Sequence, residues 1–400
     1  MNEARPPTSP PTPVRANDPD LADDAHGWKS AYVHIPFCAR RCPYCDFAIV
    51  DESSVGTTDH RRYVEAVISE IAMEERFGPL DAVNFGGGTP SRLQPDELRQ
   101  ILDALEHRFG FVDGVEISLE VNPEGCGPTV ADELAGVGFT RVSIGAQSFS
   151  DEILGVLGRS HSAGRIGDVV DSARAAGFRS VSLDLIYGHA AETDRSWERT
   201  IDRALALPID HVSTYALTVE PGTPLSRDIV AGAGAPDEDI QADRYELFCE
   251  RSSEAGFDRY EVSNHARSGH ACRYNLSTWA HGEYVGFGLG AHDHRWGTRS
   301  RNHPRLDRYL RDVESGIRPR LGSETLDADA QARDRFMLGL RLASGTQLTT
   351  LAAVFLGSPV GERLLDAGII AVENNRVVVM QPMLTDAVAR EALSVSADHC

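Results

Sequence analysis

A regular alternation of short apolar segments with longer segments of helical periodicity, from about residue 29 to residue 219, restricts the possible folds more than any other feature. The strand candidates are 31–36, 82–85, 115–121, 141–145, 181–186 and 211–219. The helix candidates lie near 58–77, 95–109, 129–137, 151–157, 163–176 and 195–206. A repeated strand–helix unit predicts an α/β fold with a parallel sheet covered by helices. Periodicity alone does not distinguish an open doubly wound sheet from a partial barrel.

The second half of the chain follows a different pattern. A helix is expected near 239–256, and the Gly-, His- and Trp-rich segment 260–297 predicts strands and loops. Helices near 331–343 and 360–367, and a hairpin over 371–381 that turns at Asn374–Asn375, predict a small α+β domain of winged-helix type. We therefore expect a core with accessory strands over 29–298 and a C-terminal domain over 299–400.

The first 28 residues are rich in proline and acidic residues and contain almost no apolar run. This composition predicts a disordered tail and does not match a secretory signal or an Arg-rich targeting peptide. No segment approaches the ~20 apolar residues of a membrane span. The cytoplasm is therefore the expected location.

The overall charge restricts the expected partners. The formal net charge is −21, which argues against nucleic acid or an anionic membrane as the main partner. Residues 331–400 contain six arginines and seven acidic residues, so the predicted C-terminal domain lacks the basic surface of a DNA-binding module. Seven cysteines in 400 residues are too few for a disulfide scaffold.

Three of the cysteines, Cys38, Cys42 and Cys45, stand directly after the first predicted strand with C-x3-C-x2-C spacing. Three thiolates on one loop are able to hold three irons of a [4Fe–4S] cluster. No fourth ligand is evident, so one iron would keep a position for an exchangeable ligand. The alternative is a structural zinc site, which needs four protein ligands. His34, four residues before Cys38, would then have to complete that site.

This cysteine motif resembles the radical S-adenosylmethionine superfamily. The longer string HIPFCARRCPYCDF, residues 34–47, is similar to the branch that contains oxygen-independent coproporphyrinogen dehydrogenase and a related haem chaperone. The resemblance extends from about Ala31 to about Ala387. It implies a partial (β/α)6 TIM-like barrel and a C-terminal domain like that of the dehydrogenase. It also implies a [4Fe–4S] cluster on the three cysteines, with S-adenosylmethionine chelating the open iron through its amino and carboxylate groups.

Other residues at the predicted strand ends match cofactor-contacting positions of that family. Glycines after the second strand allow close approach of a ligand, Arg159 is able to bind a carboxylate bidentately, and an acid in an apolar strand needs a polar partner. From the residues alone, Glu120 could equally be one half of a structural ion pair. The resemblance implies cofactor contacts for Tyr32, Tyr44, Gly87, Gly88, Thr89, Glu120, Gln147, Arg159 and Asp184. It carries over no catalytic base.

The resemblance is compatible with two functions. One is oxidative decarboxylation of coproporphyrinogen III, and the other is the binding of haem and its transfer to acceptor proteins. The dehydrogenase motif continues with a further cysteine, where this chain has Phe47, and it follows a longer N-terminal segment. We therefore expect a haem chaperone, with haem, its acceptors and, if the cluster is reduced, an electron donor as partners. No nucleic acid and no membrane span are expected, although peripheral association with membrane acceptors is compatible with this function.

The haem-associated motif of the chaperones, His-Asn-x-x-Tyr-Trp, is only partly present. Asn275 and Trp279 are retained, whereas Tyr274 replaces the histidine and Thr278 replaces the tyrosine. A phenolate is able to ligate haem iron, so Tyr274, Asn275 and Trp279 are the haem candidates. Other ligand candidates nearby are His265, His270, His281, His292, His294 and Cys272, while Cys249 is expected to pack in the core.

Overall fold

A computed structural model describes residues 19–54 and 56–397 of the 400-residue chain. The helices of the described residues are α1 (Pro19–His26), α2 (Thr57–Met73), α3 (Pro95–Phe109), α4 (Pro128–Val137), α5 (Asp151–Val156), α6 (Ala163–Ala175), α7 (Asp194–Leu205), α8 (Pro224–Val230), α9 (Glu238–Glu254), α10 (Arg273–Trp279), α11 (Leu306–Glu314), α12 (Ala328–Gly339), α13 (Thr350–Leu356), α14 (Pro359–Asp366) and α15 (Thr385–Ala397). The strands are β1 (Lys29–Ile35), β2 (Phe37–Cys38), β3 (Val50–Asp51), β4 (Leu80–Gly87), β5 (Phe111–Val121), β6 (Arg141–Gln147), β7 (Ser180–Tyr187), β8 (His211–Ala216), β9 (Asp258–Arg259), β10 (Asn264–Ala266), β11 (Glu283–Phe287), β12 (His292–Arg295), β13 (Thr298–Asn302), β14 (Arg320–Thr325), β15 (Thr346–Gln347), β16 (Ile370–Glu373) and β17 (Arg376–Val379).

Six consecutive parallel strands form the centre of the molecule, and β11 pairs parallel to β1 on its other side. They are neighbours in chain order, β1-β4-β5-β6-β7-β8, and each adjacent pair is parallel. A doubly wound sheet reverses its strand order at a switch point, whereas a barrel keeps it. The full order of the sheet is β14-β13-β12-β11-β1-β4-β5-β6-β7-β8-β10-β9. Among the described strands, the two edge strands, β14 and β9, do not pair with each other. The order and the open edges confirm the predicted partial barrel.

The two faces of this sheet differ in polarity, as the alternation of side chains along a strand requires. Val33, Val83 and Leu119 are fully buried in the apolar core. Neighbouring positions on the other face carry polar side chains, including Tyr32 and Glu120. The helices therefore cover an apolar outer face, and the polar inner face is available to line a site.

The predicted disordered tail does not extend to residue 28. Residues 1–18 lie outside the described residues, but Pro19–His26 form α1, which packs on α10. Ala22 and Ala25 are buried in a small core together with Leu276. Their spacing of three residues places both on one helix face. The prediction of disorder is therefore wrong for this helix, whose apolar face consists of Leu21, Ala22 and Ala25.

The accessory strands continue beyond the boundary predicted at 298/299, which falls inside β13. β13 pairs with both β12 and β14, so the main sheet continues to Thr325. Charged residues hold this edge, because the buried Glu74 carboxylate accepts hydrogen bonds from Arg295 and Arg320. Ion pairs between residues so far apart in the chain produce no local hydrophobic pattern, so the sequence does not predict this extension of the sheet.

Helices α12–α15 and strands β15–β17 form a separate apolar core around Phe336, Phe355 and Val377. The predicted hairpin is present as β16 and β17, and both turn residues, Asn374 and Asn375, have the expected positive φ angles of 48° and 60°. Helices α1, α8, α10, α11, α13 and α15 were not predicted, and α10 lies in the segment 260–297 that was expected to form strands and loops. Within the described residues, no helix combines the length and apolar composition needed to cross a bilayer.

Candidate functional site

A cavity of about 410 Å³ lies at the carboxyl ends of the parallel strands. All three cysteines of the motif line it. The predicted cofactor residues that also line it are Tyr44, Gly87, Gly88, Thr89, Glu120, Gln147, Arg159 and Asp184. The structure thus brings eight of the nine predicted cofactor residues together with the cysteines, and only Tyr32 lies outside the lining.

The cysteine loop is attached to the glycine-rich end of β4. The Gly88 N–H donates to the carbonyl oxygen of Ile35 at 2.8 Å, and the Thr89 N–H donates to that of Phe37 at 2.9 Å. A Cβ at Gly88 would lie 2.7 Å from both the carbonyl carbon and the oxygen of Pro36. Position 88 therefore accommodates glycine because the start of the cysteine loop passes directly against it.

A chain of hydrogen bonds connects two of the thiols. The Cys38 thiol lies 3.8 Å from the Thr89 hydroxyl, which accepts a hydrogen bond from the Asn122 amide at 2.8 Å. The Asn122 carbonyl in turn accepts one from Arg159, and Arg159 Nη1 lies 3.6 Å from the Cys42 sulfur. Asn122 was not predicted as a site residue, although its position two residues after Glu120, at a strand end, indicates one.

The donor set does not match a single zinc ion. In the described part of the chain, no three His, Cys, Asp or Glu side chains are arranged to hold one metal ion. His34 is engaged elsewhere, because its Nε2 lies 2.9 Å from the Ala48 carbonyl oxygen and its Nδ1 lies 3.1 Å from the Tyr32 hydroxyl. Three thiols spaced around one cavity, with no fourth ligand from His34, instead match three corners of a [4Fe–4S] cluster.

Two carboxylates face each other across the inner face of the sheet. Burial and, to a smaller extent, the negative charge of Asp184 raise the pKa of Glu120 to about 7, while the hydrogen bond from the Gly87 N–H acts in the opposite direction. Burial also raises the pKa of Asp184, whereas hydroxyls such as that of Ser143, 2.8 Å away, lower it. Glu120 therefore titrates near neutral pH and is able to donate or accept a hydrogen bond there.

Gln147 ends β6 in a conformation that non-glycine residues rarely adopt, with φ of 61°. The register of β6 against β7 is also irregular here. A Cβ at Gly145 would lie 3.0 Å from both the Asn122 carbonyl oxygen and the Gln147 amide nitrogen. The side-chain amides of Gln147 and Asn122 thus both lie against Gly145 in the cavity wall, and a positive φ at a non-glycine residue is often found at functional sites.

The two predicted tyrosines occupy different levels of the barrel. Tyr44 packs against the apolar cluster of Ile186 and Leu217 at the edge of the cavity. Tyr32 lies below the cavity, where its ring stacks on Tyr274 at a centroid distance of 6.0 Å. Tyr44 is therefore able to contact a ligand in this cavity directly, whereas Tyr32 supports its floor.

The three haem candidates lie at the opposite end of the strands and do not share one site. Tyr274 faces Tyr32, and the Asn275 amide lies 3.4 Å from the Tyr260 hydroxyl. Trp279 is covered by the Arg341 guanidinium at 4.5 Å and lines a second cavity. Of these three residues, only Trp279 lines either cavity.

The alternative haem ligands are also dispersed. His281 and His294 are buried with ring centroids 4.4 Å apart. His265 lies 3.6 Å from the Cys249 sulfur, and His292 is exposed on β12. Cys272 is buried in the small core beside α1, as expected for a packed thiol.

Comparisons with known proteins agree with this arrangement. Residues 32–204 match the family model of the Radical SAM superfamily. The chain is 39% identical over 370 residues to the Heme chaperone HemW of Mycobacterium tuberculosis, covering 90% of this chain and 94% of that protein. It is 34% identical to the Escherichia coli protein of the same name, covering 72% and 80% of the two chains.

A solved structure, that of the coproporphyrinogen III oxidase HemN from Escherichia coli, superposes with a TM-score of 0.78. The alignment covers 93% of this chain and 91% of that chain at 22% identity, which shows a shared fold. With its parallel barrel, its cysteine loop and its identity to curated relatives over nearly the full length, the chain belongs to the HemW family of Radical SAM proteins.

Proposed function

We propose that this protein is a haem chaperone, which binds haem and passes it to acceptor proteins. The observation that carries the proposal is its 39% identity, over 94% of the relative's length, to a protein named Heme chaperone HemW. The competing function is oxygen-independent coproporphyrinogen III dehydrogenation. The solved oxidase shares the fold at only 22% identity, and this chain has the exposed Phe47 where the dehydrogenase motif continues with a cysteine.

We further propose that Cys38, Cys42 and Cys45 ligate a [4Fe–4S] cluster whose fourth iron binds S-adenosylmethionine. When bound, this pair supplies a one-electron route to cleavage of the sulfonium. Gly87 and Gly88 line the cavity, where backbone carbonyl groups are able to accept hydrogen bonds from an amino group, and Arg159 offers a cation beside Cys42. These features fit the carboxylate and amino group of a bound amino acid.

The remaining cavity residues would hold the rest of the cofactor. Glu120, Gln147 and Asp184 present hydrogen-bonding groups toward the cavity, and Tyr44 supplies an aromatic surface. The Thr89 hydroxyl contacts the Cys38 thiol at the cysteine side of the cavity. Because Tyr32 lies beneath the cavity, its contribution would be support of the floor near Glu120.

The partners follow from this function. They are haem, haem-acceptor proteins and, when the cluster is reduced, an electron donor. The function is also compatible with peripheral association of this protein with membrane-bound acceptors. We also propose a cytoplasmic location. The six cysteines in the described part of the chain are all free thiols, which suits a reducing compartment.

The cluster assignment is tested by anaerobic reconstitution with iron and sulfide. Cys38→Ala, Cys42→Ala and Cys45→Ala should each lose most of the bound iron and the visible absorbance of the cluster. Cys126→Ala is the matched control, since Cys126 packs in the apolar core away from the cavity. A cluster spectrum that is unchanged in any of the three variants would contradict the assigned ligands.

The haem assignment is tested by titration of the reconstituted protein with ferric haem. We expect a saturable change in the Soret region and a complex that survives gel filtration. Binding that rises without saturation, as for haem adsorbed to a protein surface, would contradict the chaperone function.

A further inference from the structure

A second cavity, of about 370 Å³, lies at the end of the molecule opposite to the cysteines. α1 and α10 form one wall, and α12, α13 and β15 form the other. The apolar lining comes largely from Trp279, Phe336, Leu342 and Leu351. A cavity of this size between two packed units, with a large aromatic surface, is typical of a small-molecule site.

The charged residues of this cavity favour an anion, although the chain as a whole is acidic. Its charged lining consists of Asp23, Arg335 and Arg376. Asp23 is neutralised by Arg376, whose Nη1 donates to it at 2.8 Å. Arg335 is exposed, and no carboxylate in the described part of the chain forms an ion pair with it. One cation therefore remains available for a carboxylate of a ligand.

His26 supplies a metal-binding atom at the same cavity. Its Nδ1 donates to the carbonyl oxygen of Ala280 at 2.9 Å, so the lone pair of the neutral ring lies on Nε2. This hydrogen bond to a backbone carbonyl is the arrangement that orients most metal-ligating histidines. The Nε2 of His26 has no hydrogen-bond partner among the residues that the structure describes.

A second histidine stabilises the ring of His26 in this position. The rings of His26 and His281 are stacked, with centroids 6.5 Å apart and an angle of 15° between their planes.

Resting on the proposed chaperone function, we propose that haem binds in this second cavity with His26 Nε2 as its iron ligand and Arg335 paired with a propionate. Haem combines a flat apolar ring, a metal centre and two carboxylates. The cavity offers an indole, a histidine nitrogen and an unpaired guanidinium in one place. The site uses none of the thiols, so the cargo and the cluster occupy opposite ends of the barrel.

Titration with ferric haem tests this assignment in five variants of the full chain, one of which is Tyr274→Phe. His26→Ala should weaken binding by more than about tenfold and shift the Soret maximum, and added imidazole should restore the wild-type spectrum. His292→Ala is the control, because this histidine is exposed on β12. Arg335→Glu should weaken binding, Arg335→Lys should retain most of it, and both should keep the wild-type Soret position.

The outcomes separate this inference from the function on which it rests. If the wild type fails to bind haem saturably, the proposed function is wrong and this assignment falls with it. If the wild type binds but His26→Ala has the same spectrum and affinity, His26 is not the ligand. The same conclusion follows if imidazole does not restore the spectrum, or if Tyr274→Phe alone removes it.

Discussion

Replacement of Gly88 by alanine should displace the cysteine loop. The added methyl group would lie 2.7 Å from the Pro36 carbonyl carbon and oxygen and 2.8 Å from the Phe37 oxygen. Ordinary contacts begin near 3.4 Å, so these atoms must move by about 0.7 Å. Because all of them are backbone atoms, no side-chain rotation relieves the contact. We expect Gly88→Ala to destabilise the protein by about 1–3 kcal/mol.

The displacement should be transmitted to the first thiol, because Cys38 directly follows Phe37. Ligating side chains need to be held within about 0.5 Å of their productive positions, so the variant should lose most of its bound iron. Gly136→Ala is the matched control: nothing lies within 4 Å of an added methyl, and this position in α4 should gain roughly 0.5–1 kcal/mol.

Urea unfolding and iron analysis after anaerobic reconstitution measure both effects. The expected result is a lower unfolding midpoint and low iron content for Gly88→Ala, with normal iron content for Gly136→Ala. If Gly88→Ala matches the wild type in both measurements, the loop is not positioned by its contact with the end of β4.

Three further predictions concern the rest of the molecule. Asn122→Ala removes the hydrogen bond that Asn122 donates to Thr89 and the one that it accepts from Arg159, and should cost about 1–3 kcal/mol in urea unfolding, with a reduced cluster yield. The wild type should lose up to about 3 kcal/mol of stability as pH rises from 5 to 8, because the pKa of Glu120 is about 7 in the folded protein and about 4.3 when unfolded. Glu120→Gln lacks this loss, so its stability relative to the wild type should increase over the same range. A constant difference between the two proteins would contradict the raised pKa. Trp197→Ala should cost about 3–5 kcal/mol because this side chain is fully buried, whereas the exposed Trp296→Ala should cost less than about 1 kcal/mol.

The sequence predicted the parallel core because each strand is encoded locally, and the family resemblance named most of the residues that the structure brings together in the first cavity. Each strand carries its own alternation, and parallel strands place their carboxyl ends at one edge. Residues as far apart as Cys38 and Asp184 were therefore expected from the sequence to converge, and both line the cavity. The glycine-rich turn was predicted for a related reason, although the structure shows that Gly88 also accommodates the cysteine loop itself.

Features that depend on distant partners were not predicted. α1 is short, and its buried face is formed by Ala22 and Ala25, so its stability depends on packing against α10. β14 is attached through a buried network in which Glu74 meets Arg320, a contact across 246 residues. The second cavity likewise exists only where the N-terminal helix meets the C-terminal unit. The three haem candidates were grouped by sequence proximity, but adjacent positions on α10 face different surroundings.

The most direct test of the account is an anaerobic assay in which one reconstituted preparation receives coproporphyrinogen III, S-adenosylmethionine and a reductant, while a parallel sample receives ferric haem. Chromatographic analysis should show coproporphyrinogen unchanged, and the parallel sample should retain haem at a fixed stoichiometry through gel filtration. Formation of protoporphyrinogen by a protein that does not retain haem would contradict the chaperone function and identify the chain as a dehydrogenase.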